Sequence, residues 1–394
     1  MRLPAFKNLL LVCASLAVSL LAAEAGLRLA GIGYPEFHRL DEARGWAPRS
    51  GVEGWWTKEG GAYVRINRAG FRDRDHETAK PDGTLRIAVL GDSFTEALAI
   101  PLDETFWSVA GRRLAACPGL EGATVEMLNF GVSGYGAAQQ LITLRDHALA
   151  YRPDLVLLAF YSGNDVWNNN RVLDNHPDRP YLVIADGRLA LDDSFRGSIR
   201  FKAKMAWQDV KHGLVNASHV LQLVKQGYYA VKGAMKDKYA GASLFAPSAA
   251  DAVYLAPADA PWRDAWAVTE AAIRAMRDAA VAGGAEFWIV TLSNAIQVHP
   301  DAAVRARFAA ELGAQDLAYP DRRIAALARA EGIPAIVLAP ALRAHAEASG
   351  TYLHGFDNTL PGYGHWNRAG HAEAGRLIAE AICAASAAAD LAGS

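Results

Sequence analysis

Four short blocks of the sequence carry residue types that could act together on an acyl group. Residues 91–95 (GDSFT) contain a serine that could serve as a nucleophile. Residues 129–136 (NFGVSGYG) could present backbone N–H groups to an oxyanion, and residues 163–165 (GND) could add a side-chain amide. Residues 364–371 (GHWNRAGH) contain His365, which could take the serine proton because imidazole titrates near neutrality.

Each block alone has a simpler interpretation. Serine and aspartate commonly cap helices, glycine-rich loops are usually tight connections, and asparagine often forms a turn. A single histidine more often packs than reacts, and His371 in particular lies beyond the first turn of the predicted last helix. The chemical interpretation therefore depends on whether the fold brings the four blocks together.

The pattern of strands and helices predicts that it does. Continuous apolar runs are typical of parallel strands covered on both faces, and they occur at residues 86–90, 124–130, 155–160, 287–292 and 335–338. The first three blocks directly follow the first three runs, and the fourth opens a helix predicted over about 367–388. Ligands of such sheets bind beyond the carboxyl ends of the strands, so all four blocks are expected at one edge. Residues from about 194 to 259 lack a strand pattern and are predicted as a helical insertion.

The order of the blocks resembles the SGNH/GDSL hydrolase superfamily over about residues 86–165 and 364–382. The resemblance implies an α/β fold of three layers (α/β/α) with a mostly parallel, flavodoxin-like sheet. It implies Ser93 as nucleophile, His365 as base, and an oxyanion hole formed by the N–H groups of Ser93 and Gly134 with the side chain of Asn164. Residues 65–72 (RINRAGFR) also look like the segment before the first block in membrane-anchored bacterial members.

Two departures from the family pattern stand out. The first block has phenylalanine where the family has leucine, an exchange of one apolar residue for another. The family usually has an aspartate three residues before the histidine, and here that position is Gly362. Asp357, in the segment of residues 353–361, could orient the imidazole instead, or a backbone carbonyl could hold the ring. A Ser–His dyad is the plainest interpretation of the motif.

The N-terminus carries an export pattern. Arg2 and Lys7 precede an uncharged, mostly apolar run over residues 8–23, which Glu24 and Arg28 follow. We expect residues 1–30 to be an uncleaved, single-pass signal anchor in the cytoplasmic membrane, with the N-terminus inside. Cleavage near the small residues flanking Glu24 would give a secreted protein, and a buried N-terminal helix is the third alternative. Residues 31–83 are predicted to be a lead-in that packs on an extracytoplasmic (periplasmic) hydrolase domain over residues 84–394.

Composition narrows the choice of ligands. With 40 basic and 42 acidic residues the net charge is −2, which gives no basis for nucleic-acid binding. The sequence has no His/Cys cluster for a metal and no P-loop lysine, so we expect no cofactor. Cys13 lies in the apolar run, and Cys117 and Cys383 are expected to be free buried thiols.

The expected activity is hydrolysis or transfer of an ester-linked acyl group. Export favours substrates of the cell envelope, such as an acylated small molecule, polysaccharide or lipid, without distinguishing water from another hydroxyl as acceptor. The alternative is a catalytically inactive envelope protein that keeps the fold to bind carbohydrate or assist assembly. The missing aspartate is the reason to consider it.

Overall fold

The computed structural model describes residues 3–120, 122–239 and 246–393. Its strands are β1 (His38–Asp41), β2 (Gly45–Pro48), β3 (Glu53–Trp56), β4 (Ala62–Arg65), β5 (Thr84–Leu90), β6 (Thr124–Asn129), β7 (Leu155–Phe160), β8 (Tyr181–Ala185), β9 (Arg188–Asp192), β10 (Glu286–Thr291) and β11 (Ala335–Val337). Its α-helices are α1 (Leu3–Leu29), α2 (Ser93–Glu96), α3 (Phe106–Leu114), α4 (Ala137–Asp146), α5 (Arg171–Asp174), α6 (Ile199–Ala217), α7 (His219–Tyr239), α8 (Ala260–Ala282), α9 (Ala302–Leu312), α10 (Tyr319–Ala330), α11 (Ala339–Ser349) and α12 (Arg368–Gly393).

The core of the fold is a five-stranded sheet in which every pairing is parallel. The strands lie in the order β6-β5-β7-β10-β11, which is the 2-1-3-4-5 order of flavodoxin-like sheets. Helices α4, α8 and α10 cover one face, and α3, α11 and α12 cover the other. All six residues of β7 are buried, which explains its continuous apolar run. The predicted three-layer fold is confirmed.

The five predicted sheet strands are all present, with ends that differ by at most two residues. Sequence reasoning missed the antiparallel hairpin β8–β9. Its two-residue turn, Asp186-Gly187, has positive φ at both positions (50° and 74°), as the tight turns of hairpins require. That dipeptide between two apolar runs was the available signal.

Residues 31–83 form two small hairpins, β1–β2 and β3–β4, on the flank of the domain. Buried Phe37, Val64 and Ile66 from this lead-in form one cluster with Leu98, which follows α2. The lead-in is therefore fastened next to the end of β5, where the first sequence block lies.

Helix α1 contains a stretch, Phe6–Leu29, that is long and apolar enough to cross a membrane, with a mean hydropathy of 2.1. The insertion contains α6 and α7. Both helices contact α1 and the lead-in.

A disulfide joins Cys117 to Cys383, so the expectation of two free thiols is wrong. Helix α12 packs along α3 and brings the two cysteines to a Cα–Cα distance of 5.9 Å. The two cysteines are 266 positions apart in sequence, and no spacing pattern identified them as a pair.

Replacing both bridged cysteines by serine is expected to lower the free energy of unfolding by about 2–4 kcal/mol, because the bond closes a very long loop in the unfolded chain. Urea denaturation of the full chain in detergent measures this change. Cys13→Ser, which removes the exposed free thiol in α1, is the control and should leave the midpoint unchanged. Equal stability of the double variant and this control would contradict a structural role for the bond.

Candidate active site

Ser93 lies at the first turn after β5, where the chain enters α2. Asp92 is fully buried and caps this helix, accepting the Phe94 N–H at 2.9 Å. The cap holds the short helix in place and leaves the Ser93 hydroxyl at the carboxyl edge of the sheet.

His365 lies beside Ser93, with its Nε2 at 2.7 Å from the serine Oγ. The Phe94 ring packs against the imidazole with a centroid separation of 4.9 Å. The phenylalanine of the first block thus forms part of the wall that positions the histidine. The two predicted residues are 272 positions apart in sequence and lie within hydrogen-bonding distance.

The carboxylate at the other ring nitrogen of His365 belongs to Glu59. Its Oε2 is hydrogen-bonded to His365 Nδ1, and its Oε1 accepts the His365 backbone N–H at 2.8 Å. Asp357, the candidate acid from the sequence, is exposed and is not among the partners of His365. The arrangement is therefore serine, histidine and glutamate in one line, in place of a bare Ser–His dyad or a ring held by a carbonyl.

Glu59 was missed because it comes from the lead-in, 306 residues before His365. It lies in the turn between β3 and β4, within the stretch of residues 55–61 (WWTKEGG). A single acidic residue between two tryptophans and two glycines marks a shaped turn, but nothing in the sequence connects that turn with the last helix.

The turn that carries Glu59 is anchored by the segment in which an acid was expected. Asn358 accepts the Gly60 N–H at 2.9 Å and donates to the Gly60 carbonyl at 2.8 Å. Gly364 allows Glu59 to approach, since it has φ of +81° and any Cβ there would collide with Glu59 Oε1.

The Glu59 carboxylate fixes the tautomer of His365, because a neutral ring beside it must carry its proton on Nδ1. Burial alone would raise the pKa of Glu59, but the hydrogen bond and charge of His365 lower it overall, so the carboxylate is ionised. Burial alone would lower the pKa of His365, and Glu59 more than compensates, so this pKa is raised. An ionised carboxylate can only accept at Nδ1, which leaves Nε2 to accept the serine proton.

Asn164, predicted to donate to an oxyanion, lies in the same cleft as Ser93. Its Nδ2 donates to the buried Asp92 Oδ2 at 2.7 Å. An amide nitrogen carries two hydrogens, so one remains for a ligand. Asp92 therefore orients both Ser93, through the helix cap, and Asn164.

Gly134 lies on the loop after β6, with φ of +78°. Among the described residues, neither its N–H nor that of Ser93 has an acceptor, whereas the neighbouring Ser133 N–H donates to Glu96 at 2.8 Å. Gly134 is not among the residues that line the cleft around Ser93. The free N–H groups are those predicted for an oxyanion hole, and that role stays a prediction.

Glu96, at the end of α2, is fully buried and joins three segments. Its Oε2 accepts from the Ser133 N–H and hydroxyl, and its Oε1 lies 2.7 Å from His38 Nε2 of the lead-in. Burial alone would raise the pKa of Glu96, but the charge of His38 and the Ser133 hydrogen bonds lower it. Burial alone would lower the pKa of His38, and Glu96 raises it overall.

The lead-in also fixes α2 through Arg72, a fully buried guanidinium. Its Nη1 donates to the Glu96 carbonyl at 3.0 Å, and it also donates to the carbonyls of Ala97 and Ile100. Burial lowers the pKa of Arg72 to about 10. Arg72 thus holds the C-terminal end of α2, the short helix that carries Ser93.

The cleft at Ser93 has a volume of about 410 Å³ and mixes aromatic with polar walls. Besides the catalytic candidates, its principal side chains are those of Tyr161, Asp251, Tyr254, Asn294, Phe308 and Tyr363. Within the described part of the chain, no group of three or more His, Cys, Asp or Glu side chains could hold a metal ion.

No protein-family model matches the chain, and no curated protein matches it. Several solved structures are similar to it. One, from Desulfitobacterium hafniense DCB-2, is described as a lipolytic protein of the G-D-S-L family (12% identity, 75% of this chain, 99% of that chain, TM-score 0.34). TesA has 14% identity over 75% of this chain and 97% of its own, with a TM-score of 0.38. A catalytic mutant of Axe2, an acetylxylan esterase from Geobacillus stearothermophilus, has 14% identity over 75% and 93%, with a TM-score of 0.38.

The first prediction from this geometry concerns Glu59→Gln and the pH dependence of Ser93 reactivity. Reaction with a fluorophosphonate needs neutral His365, so the wild-type labelling rate should rise with pH through a pKa above the ordinary 6.5. Without the charge of Glu59, the effect of burial dominates and the pKa of His365 falls. The acid limb, which is the part of the profile where the labelling rate rises with pH, should therefore move to lower pH. The plateau rate should fall about 100-fold or more, because the ring loses its fixed tautomer.

Asp357→Asn is the matched control and should keep both the wild-type limb and the plateau. The measurement is the rate of Ser93 labelling, followed by mass spectrometry across the pH range. If the acid limb shifted in Asp357→Asn while Glu59→Gln kept the wild-type pH profile, Asp357 rather than Glu59 would be the carboxylate that orients His365.

The second prediction concerns the buried pair of Glu96 and His38. Glu96→Gln should lower the free energy of unfolding by about 2–3 kcal/mol. This is less than the usual cost of breaking a fully buried ion pair, because the His38 side chain is 26% exposed. Because the pKa of Glu96 is lowered in the folded protein, its ionised form stabilises the fold above pH 4.5. That stabilisation is lost as the pH falls through the pKa that Glu96 has in the folded protein. Because the pKa of His38 is raised in the folded protein, its protonated form stabilises the fold below pH 6.5. That stabilisation is lost as the pH rises through the pKa that His38 has in the folded protein.

The difference in the free energy of unfolding between wild type and Glu96→Gln should therefore be largest between pH 4.5 and 6.5, and it should become smaller at lower and at higher pH. Urea denaturation at a series of pH values measures it. Glu77→Gln, which removes an exposed partner of Arg68, is the control and should change stability little at any pH. A difference for Glu96→Gln that does not vary with pH would contradict an ionised pair.

Proposed function

We propose that the chain is an extracytoplasmic serine esterase of the SGNH type that cleaves or transfers ester-linked acyl groups at Ser93. The observation that carries the proposal is the continuous line from Ser93 Oγ to His365 Nε2 at 2.7 Å and from His365 Nδ1 to Glu59. A serine, a base and an orienting carboxylate in this order are what an acyl-transfer site requires.

In the proposed reaction, Ser93 Oγ attacks the ester carbonyl carbon while His365 Nε2 takes the hydroxyl proton. The oxyanion forms beside the free amide hydrogen of Asn164 and the N–H groups of Ser93 and Gly134. The tetrahedral intermediate collapses, and His365 returns its proton to the leaving alcohol. Water, or the hydroxyl of a second substrate, then attacks the acyl-enzyme with His365 again as base, and this regenerates Ser93.

The proposed location is the outer side of the cytoplasmic membrane, with α1 as a single-pass anchor. The apolar stretch of α1 supports the anchor, and the basic residues before it favour an inside N-terminus. The Cys117–Cys383 bond adds independent support, because disulfides persist in oxidising compartments such as the periplasm. The proposed substrates are acylated polysaccharides, lipids or smaller molecules of the envelope.

The cleft walls suit a neutral, partly apolar acyl ester. Burial raises the pKa of Tyr161 and of Tyr254, so both phenols stay protonated and can donate. The alternative of an inactive carbohydrate-binding or assembly protein was considered because no orienting acid was recognised. With Glu59 at Nδ1 of His365, that reason no longer applies.

The full chain in detergent is expected to hydrolyse p-nitrophenyl acetate and to be labelled by a fluorophosphonate at Ser93. Ser93→Ala should abolish labelling and lower hydrolysis about 1,000-fold or more, because no other group forms the acyl-enzyme. Ser248→Ala removes a second hydroxyl that lines the same cleft and should retain both activities.

Labelling and hydrolysis that survive Ser93→Ala would place the nucleophile elsewhere. A wild-type chain that neither reacts with the fluorophosphonate nor hydrolyses a series of acyl esters would favour the inactive, binding alternative.

A further inference from the structure

We propose that the helix pair formed by α6 and α7 lies on the surface of the bilayer, with the apolar side of both helices in contact with lipid. This inference rests on the proposed membrane anchor α1 and adds a second, separate contact between the protein and the membrane. It follows from the way polar and apolar residues are distributed on the two helices.

The side of α6 that faces the protein begins with buried Phe201 and is polar beyond it. Gln208 and His212 are both 8% exposed. Gln208 Oε1 accepts the Leu40 N–H at 2.8 Å, and His212 Nε2 lies 2.8 Å from the carboxylate of Glu36. Both partners belong to the lead-in, so α6 is docked on that segment through hydrogen bonds.

The opposite side of α6 is apolar and exposed. Trp207, Val210 and Leu214 are 61%, 49% and 59% exposed. Their spacing of three and four residues places them in one stripe, since such positions share a helix face. That stripe points away from the side that carries Gln208 and His212.

Helix α7 repeats the arrangement. Gln222 is 3% exposed and accepts the Tyr34 N–H at 2.7 Å, and Gln226 donates to the Thr57 hydroxyl at 2.7 Å. The side turned away from the lead-in carries an apolar stripe, again at spacings of three and four. Its members are Leu221 (47% exposed), Val224 (65%), Tyr228 (61%) and Val231 (60%).

This polarity is the reverse of what a helix on a water-soluble domain shows. Such a helix buries its apolar side and leaves its polar side in water. Here two successive helices bury amides, and their two stripes together expose seven large apolar side chains. A continuous apolar surface of this kind marks contact with a membrane or with another protein.

The attachment to α1 indicates that the partner is the membrane. Glu24 of α1 accepts the N–H groups of His219 and Val220 at 3.0 and 3.1 Å, which are the first residues of α7. Arg28 of α1 donates to the Ala217 carbonyl at 2.5 Å, at the last residue of α6. Glu24 and Arg28 end the apolar stretch of α1, so a spanning α1 puts this junction at the level of the lipid headgroups.

The charge of the helix pair agrees with that position. Between Ile199 and Tyr239 lie eight of the 40 basic residues of the chain but only two of its 42 acidic residues, and four of the eight form ion pairs with Glu36 or Asp178 of the protein. A basic helix pair with an apolar stripe is typical of helices that lie in the interface of membranes containing anionic lipids.

The test uses nitroxide labels on the full chain in vesicles of phosphatidylethanolamine with a minority of phosphatidylglycerol. In a Cys13→Ser background, Leu214→Cys and Val224→Cys place one label on each stripe, and Val172→Cys (74% exposed, on α5) is the water-exposed control. We expect both stripe labels to be accessible to oxygen and to lose accessibility to a nickel chelate, whereas the Val172→Cys label stays accessible to the chelate.

A label on native Cys13 in the unaltered chain reports α1 itself, because Cys13 is exposed within the apolar stretch. Lipid contact at Cys13 together with chelate access at both stripe labels would overturn the helix-pair proposal and leave the anchor intact. Stripe labels shielded from both reagents, with spin–spin broadening, would overturn it in favour of a second copy of the chain. Chelate access at Cys13 as well would contradict the anchor.

Discussion

Asp92 is a fully buried carboxylate at the end of the first sheet strand, and the arrangement around Ser93 depends on it. Burying a carboxylate costs free energy of folding unless hydrogen-bond donors satisfy its oxygens. Burial also disfavours the charged form, and this raises the pKa of Asp92. The donors available are the Phe94 N–H of α2 and the amide of Asn164 after β7. Since β5 and β7 are adjacent in the sheet, satisfying one carboxylate fixes Ser93 and the amide of Asn164 relative to each other.

Two further carboxylates extend this principle to segments outside the sheet. Glu96 ties the loop after β6 to His38 of the lead-in, and Glu59 of the lead-in holds His365. The lead-in is therefore part of the arrangement around Ser93. A displacement of its hairpins would move Glu59, which sets the tautomer of His365, and in the proposed reaction a small error in the position of this base would lower the rate.

The lead-in also connects the site with the N-terminal helix. Helices α6 and α7 dock on it through Gln208 and Gln222, and α1 is bonded to the junction between them. If both the anchor and the helix pair contact lipid as proposed, the lead-in is held between the membrane and the sheet edge. The cleft would then have a fixed orientation relative to the bilayer, which suits a substrate that is itself attached to the envelope.

The sequence by itself determined the sheet and the positions of Ser93, Asn164 and His365, because strand periodicity is local and parallel strands end at one edge. It did not determine Glu59, the Cys117–Cys383 bond or the outward apolar stripes of α6 and α7. The first two join segments 306 and 266 residues apart, and no local pattern encodes which distant segments meet. The sequence did contain the three- and four-residue spacing of the apolar stripes. Which side of each helix faces the protein is decided only by the segments that pack against it.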